Sequence, residues 1–225
     1  MPTPQELGSQ EGDMTKIIFP PRPKSKMLWN DLGHYESCGK WIAQRKFRGS
    51  RAVVYIDAAR NVTLGNRHGR QFSRYELEPE LRSQLLDTLK LEQGKSYWLD
   101  GELMNKGEKP SNEYILFDVL QAGRYLFGSP DQMRRLEILR EICDEPKNLC
   151  QSGIALEVAP KLWMAETFQS GFLQRFQEAS EVDELEGLVL RKKSAVLDSY
   201  GDKEHETTNL IRCRKPFSKD KGYEF

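Results

Sequence analysis

The chain has no apolar run approaching the ~20 residues that a membrane-crossing helix needs, and its opening lacks the basic-then-apolar layout of a secretory signal. An intracellular, cytoplasmic protein without membrane partners is expected. Histidine and cysteine are scarce, at three and four among 225 residues. Cys38, Cys143, Cys150 and Cys213 fit neither the usual zinc spacings nor a small disulfide framework. Unpaired thiols are expected, and a His/Cys metal site or a Cys-His nucleophile pair is disfavoured. Net charge is lacking as well, because 34 basic side chains balance 34 acidic ones. No overall field pulls the molecule onto nucleic acid, so any attraction to phosphate must be local. There is neither an internal repeat nor a low-complexity tract.

What is present is the makings of one substantial domain: 38% hydrophobic and 30% charged residues in a chain long enough to bury a core. Residues 1–26 are polar at first and then carry Pro20-Pro21-Arg22-Pro23, which reads as a flexible arm ending in a polyproline-like segment. The folded domain is expected over 27–225. β-Branched and aromatic residues dominate 40–64, interrupted by Gly49 and a turn-like stretch from Asp57 to Asn61, and predict successive strands. Further strands are expected over 97–103, 114–119, 187–190 and 209–213. Leu81, Leu85, Leu86 and Leu89 recur at three- and four-residue steps and predict a helix over 79–92. Met133, Leu136, Ile138, Leu139 and Ile142 predict another over 130–143, and Phe172, Leu173 and Phe176 a third over 168–179. Strands and helices without a βαβ rhythm predict an α+β fold of largely antiparallel sheets flanked by helices.

Five motifs carry the candidate chemistry: Lys46-Phe47-Arg48-Gly49-Ser50-Arg51, Asp100-Gly101-Glu102-Leu103, Phe117-Asp118-Val119-Leu120, Glu186-Gly187-Leu188-Val189-Leu190, and Arg212-Cys213-Arg214-Lys215-Pro216-Phe217. A lysine attacks phosphorus only as the free amine, yet with an ordinary pKa of about 10.4 it is almost wholly protonated at neutral pH. Burial, a neighbouring cation or a divalent metal disfavours the ammonium form. Lys46 is placed at the end of an apolar strand, with Gly49 permitting a close backbone approach beyond it. A guanidinium beside it, at Arg48, is expected to help through like-charge repulsion.

In that order, over about residues 40–217, these motifs resemble those of the covalent nucleotidyltransferases: ATP-dependent DNA ligases, RNA ligases and mRNA capping enzymes. The adenylation domain of ATP-dependent DNA ligases is the nearest likeness. The resemblance implies that Lys46 forms a covalent lysyl-AMP, that Gln44 contacts the base edge, and that Gly49 and Arg51 bind nucleotide. It further implies that Arg67, in the Asn66-Arg67-His68-Gly69 turn, contacts nucleotide or phosphate and that Phe117 stacks on the base. Glu102 is placed at the ribose or the metal, and Glu102 with Glu186 holds Mg²⁺ or Mn²⁺ directly or through water. For the α-phosphate two registers stay open: Lys215 aligned on Pro216-Phe217, or Arg212 and Arg214 as the basic pair. The chain departs from the family pattern at Arg48, where an aspartate is usual, and no OB-fold domain is expected after the last motif.

The implied activity is an ATP-dependent polynucleotide ligase, a monomer that adenylylates itself and seals 5′-phosphate to 3′-hydroxyl ends in nicked DNA. An RNA ligase, a capping guanylyltransferase and a non-catalytic binder of nucleotides or nucleic-acid ends are the alternatives. The basic runs at 22–26, 191–193 and 212–221, and the arginines of the 133–136 helix, are expected to meet backbone phosphates.

Overall fold

The computed structural model describes residues 19–68, 70, 72, 75–105, 111–197 and 205–216. The first seven strands in chain order are β1 (Arg22–Met27), β2 (Trp41–Phe47), β3 (Ser50–Ile56), β4 (Val62–Asn66), β5 (Tyr97–Leu103), β6 (Tyr114–Ala122) and the short β7 (Arg124–Tyr125). The remaining strands are β8 (Leu156–Ala159), β9 (Leu162–Met164), β10 (Thr167–Phe168), β11 (Leu185–Lys192) and β12 (Glu206–Arg214). Four helices complete the described chain: α1 (Leu32–Ser37), α2 (Pro79–Asp87), α3 (Gln132–Ile142) and α4 (Phe172–Ser180).

Two sheets result. One runs β1-β12-β11-β2-β10, and the other β4-β3-β5-β6-β9-β8 with β7 paired to β6. Pairing is antiparallel except for β1 with β12 and β6 with β9, as an α+β chain without βαβ rhythm predicts. Side chains alternate across each strand, and this sorts the sequence into three apolar clusters. In the larger sheet, Val54, Ile56, Leu99, Leu116 and Leu120 pack with Leu81 and Leu85 of α2 and Leu139 of α3. In the smaller sheet, Ala43, Leu188, Leu190, Ile211 and Cys213 face Leu32 of α1 and Phe172 and Phe176 of α4. A third cluster, including Phe47, Ile115, Ala155 and Leu185, joins the two sheets.

The helix ends have identifiable chemistry. Pro79 opens α2, where its missing N–H costs nothing. Asp131 caps α3 by accepting from the Arg134 N–H at 3.0 Å. The Glu36 carboxylate accepts from Gly171 N at 2.7 Å and Phe172 N at 2.9 Å, so α1 supplies the cap of α4.

Several expectations change. Residues 22–26 do not belong to an arm, since they form most of β1 and pair in parallel with β12. A proline-containing edge strand needs only one hydrogen-bonding side, which explains how this segment joins a sheet. Residues 1–18, Gly69 and 217–225, on which parts of the arm, the Arg67 turn and the basic tail were placed, lie outside the described residues. Leu173 is 40% exposed and does not share the buried face of Phe172 and Phe176. All four cysteines are free thiols, with Cys38 exposed and the other three buried. Among the described residues no helix is long and apolar enough to cross a membrane.

Candidate active site

A cavity of about 490 Å³ lies between the two sheets. Its floor follows from strand register. Lys46 pairs with Gly187 and Gly187 with Arg214, while Gln44 pairs with Val189 and Val189 with Arg212. Period-two alternation turns Lys46 and Arg214, and Gln44, Val189 and Arg212, into the cavity. Gly187 has φ of +125° and a Cβ there would run into the Cys213 carbonyl oxygen, so only glycine suits this point between the lysine and the arginine. The opposing wall comes from Arg51, Glu102 and Phe117, with Arg67 and His68 at one rim.

Lys46 Nζ lies 2.5 Å from Glu186 Oε2, and Arg214 Nη2 lies 3.4 Å from the same oxygen. The lysine and glutamate side chains are only 20% and 17% exposed, so the pair sits within the cavity rather than on a solvated face. Across from them, Glu102 Oε1 accepts from the Gly49 N–H at 3.2 Å. That contact explains the glycine, since a Cβ at position 49 would overlap the Leu103 carbonyl oxygen and come within 2.7 Å of Glu102 Cγ.

Two guanidinium groups approach the Phe117 ring, Arg51 at 5.6 Å and Arg191 at 5.1 Å from its centroid. Each arginine is anchored by a buried aspartate. Arg51 donates to Asp100 at 3.0 and 2.5 Å and to the Pro21 carbonyl at 2.8 Å. Burial opposes its charge, but Asp100 prevails and holds the guanidinium above its ordinary pKa. Asp118 accepts from Arg135 at 3.1 and 3.3 Å, from Arg191 at 3.1 Å and from Gln132 at 3.2 Å. Burial would raise its carboxyl, yet Arg135 and then Arg191 hold it below the usual carboxylate value.

Gln44 is 2% exposed. Its Nε2 donates to the Phe117 carbonyl at 3.4 Å and to Thr167 Oγ1 at 3.2 Å. Only the amide nitrogen can donate to a carbonyl, which fixes the orientation of the group. The other amide atom, Oε1, is buried and finds no partner among the described residues.

Most of the residues singled out in the sequence therefore meet: Gln44, Lys46, Gly49, Arg51, Arg67, Glu102, Phe117, Glu186, Arg212 and Arg214 all line one cavity. Lys215 does not line it. Its Nζ donates to the carbonyls of Ser180 at 3.2 Å and Val182 at 2.7 Å, where it serves the C-terminal end of α4. Of the two registers, the one pairing Arg212 with Arg214 is the one that faces the cavity. Arg48 does not line it either, and the polar groups at Lys46 are Glu186 and Arg214 instead. Arg135 and Arg191, expected at nucleic-acid backbone, are 2% and 5% exposed and bound to Asp118. Arg134 pairs with Glu137 and Glu141 on its own helix. Sequence reasoning gave Asp118 no role, and set Arg22 and Arg191 at backbone phosphates rather than in the cavity they line. An aspartate inside an apolar strand is a signal for the first, because a buried carboxylate demands cationic partners.

No group of three or more His, Cys, Asp or Glu able to hold a metal occurs among the described residues. Glu102 and Glu186 face the same cavity, and two carboxylates suffice for a Mg²⁺-like cation that completes its shell with phosphate oxygens and water.

The fold is similar to that of solved DNA ligase domains. The ligase domain of M. tuberculosis LigD matches with a TM-score of 0.60 and 19% identity, over 88% of this chain and 59% of that one. The ATP-dependent DNA ligase of bacteriophage T7, solved in complex with ATP, matches with a TM-score of 0.53 and 13% identity over 89% of this chain and 69% of that one. A Lig E DNA ligase matches with a TM-score of 0.50 and 14% identity over 88% and 70%. The chain thus spans about three-fifths of the LigD ligase domain's length. No protein-family model and no curated protein matches the chain. The likeness expected from the motifs holds at the level of fold.

Proposed function

We propose that the chain is the nucleotidyltransferase unit of an ATP-dependent DNA ligase, with Lys46 as the residue that accepts AMP. The observation that carries this reading is the Lys46–Glu186 pair, 2.5 Å apart inside a cavity that also presents Phe117, Arg212 and Arg214. The lysine ammonium must lose a proton before its nitrogen can attack, and the Glu186 oxygen is placed to receive it. The nitrogen then bonds to the α-phosphorus of ATP as the bridging bond to the β-phosphate breaks and pyrophosphate leaves. Arg212 and Arg214 face the same space and stabilise the negative charge that develops on the α-phosphate oxygens. Glu102 and Glu186 would hold the divalent cation, Mg²⁺ or Mn²⁺, which when bound neutralises charge on the triphosphate.

Base choice follows from Gln44. Its buried Oε1, without a partner among the described residues, suits the exocyclic amino group of adenine and opposes the carbonyl oxygen of guanine. Phe117 offers the ring on which the base stacks. The second half of the reaction, transfer of AMP to a 5′-phosphate and attack by a 3′-hydroxyl, is assigned to DNA because the similar folds belong to DNA ligases.

The test incubates the chain with radiolabelled ATP or GTP and Mg²⁺, followed by a denaturing gel. The expected result is a band labelled by ATP alone and lost in Lys46→Ala. No labelled band, or one that persists in Lys46→Ala, overturns the assignment. Sealing of nicked RNA but not nicked DNA by the labelled protein replaces the DNA ligase with an RNA ligase.

A further inference from the structure

The β1–β12 pairing brings an arginine to the cavity that none of the five motifs contains. Arg22 and Pro23 line the cavity together with Glu206, Leu210 and Arg212, and Arg22 is registered against Glu206 of β12. On the same strand Lys24 and Lys26 are exposed and do not line the cavity. Arg22, Arg212 and Arg214 therefore line one cavity, with Glu206 and Glu186 as the carboxylates among them.

Three guanidinium groups repel one another, and Glu206 and Glu186 offset only part of that charge. Burial lowers the Arg212 pKa, and Arg214 and Arg22 lower it further, while Glu206 opposes them. The Nε atoms of Arg212 and Arg214 are buried and find no hydrogen-bond partner among the described residues. Guanidinium groups arranged this way are relieved by an oxyanion, which accepts two parallel N–H bonds from each fork.

We infer that Arg22, with Arg212 and Arg214, forms a phosphate-binding wall supplied in part by the N-terminal strand. This inference rests on the nucleotidyltransferase reading and adds to it a contact from outside the motifs. The phosphate has two possible sources, the β- and γ-phosphates of the nucleotide or the 5′-phosphate of a nicked duplex, and the same variant separates them.

Calorimetric titration of the full chain with AMP, α,β-methylene-ATP, and nicked duplexes ending in 5′-phosphate or 5′-hydroxyl provides the arms. In Arg22→Gln the affinity for AMP is expected to stay at the wild-type level. The preference for α,β-methylene-ATP over AMP, or for 5′-phosphate over 5′-hydroxyl, is expected to fall about 10- to 100-fold, the worth of hydrogen bonds to a charged group. A fall in the first ratio assigns the nucleotide tail, and a fall in the second assigns the nick. Arg22→Lys should recover part of whichever is lost, and Lys24→Gln should change neither. Both ratios unchanged in Arg22→Gln, with AMP binding intact, overturns the inference and leaves the nucleotidyltransferase reading standing. Wild-type protein that binds neither AMP nor α,β-methylene-ATP removes that reading, and the wall with it. Should Arg22→Gln melt below the wild type, Arg22→Met, which keeps the long apolar stem without the guanidinium, provides the same comparison.

Discussion

Replacing Asp118 by asparagine tests whether the buried network behind Phe117 is electrostatic in origin. The carboxylate is 2% exposed and is the shared counter-charge of Arg135 and Arg191, themselves 2% and 5% exposed. An amide keeps one acceptor oxygen but points N–H donors at groups that are donors already. Two buried guanidiniums then lose their shared counter-charge, and breaking such a pair by removing one partner costs about 3–5 kcal/mol. For a domain of this size that corresponds to a fall in melting temperature of roughly 6–20 °C. Urea unfolding of wild type and Asp118→Asn, followed by circular dichroism, measures it. The pH dependence adds a second criterion. Arg135 and Arg191 hold the Asp118 carboxyl below its ordinary value, so its contribution is fully present above the unfolded-state pKa of about 3.9. It is lost as the pH falls through the lower folded-state value. The stability difference should therefore stay constant from neutral pH downward and shrink only below about pH 4. A loss under about 1 kcal/mol, the scale of an exposed ion pair, or a difference that shrinks well above pH 4, refutes the reasoning.

Three further outcomes follow from the cavity. Phe117→Ala should weaken AMP binding by about 1–3 kcal/mol, as loss of base stacking does elsewhere, and unchanged affinity in the folded variant makes Phe117 an ordinary core residue. Gly49→Ala should lower stability by about 1–3 kcal/mol, because its methyl overlaps the Leu103 carbonyl and crowds Glu102; a melting curve identical to wild type counts against that packing. Arg48→Asp should leave the rate of lysine labelling by ATP within about twofold of wild type, as for a substitution away from the reacting groups, because Arg48 does not line the cavity. A variant that labels while the wild type does not would mark Arg48 as an inactivating replacement.

What could be read from the sequence and what could not divide along a physical line. The strand expected over 97–103 is β5, Tyr97–Leu103, because it lies mid-sheet and its apolar residues have only one way to be buried. The motif residues meet because strand register is a local, period-two property, so Lys46 and Gln44 share a face whatever their neighbours are. Charge defeats the same logic. Arg135 and Arg191 read as solvated residues, since arginine is seldom buried without a partner, and their partner Asp118 is distant in sequence. Lys215 and Arg48 belong to the right motifs, yet a motif does not specify on which side of a strand end a long side chain leaves. β1 escaped notice because Pro20, Pro21 and Pro23 signal extended chain, and the strand that pairs with it comes almost at the end of the described residues.

That last pairing bears on how the protein is made. β1 can form no native hydrogen bonds with β12 until nearly the whole described chain has left the ribosome, because the two strands are registered from Arg22–Glu206 to Met27–Cys213. Closing so long a loop costs entropy before any contact rewards it. The larger sheet, built mostly from neighbouring hairpins such as β3–β4 and β5–β6, can form first. The wall that carries Arg22 is then the last part of the cavity to be completed, and a chain still in synthesis holds Lys46 beside an unfinished site.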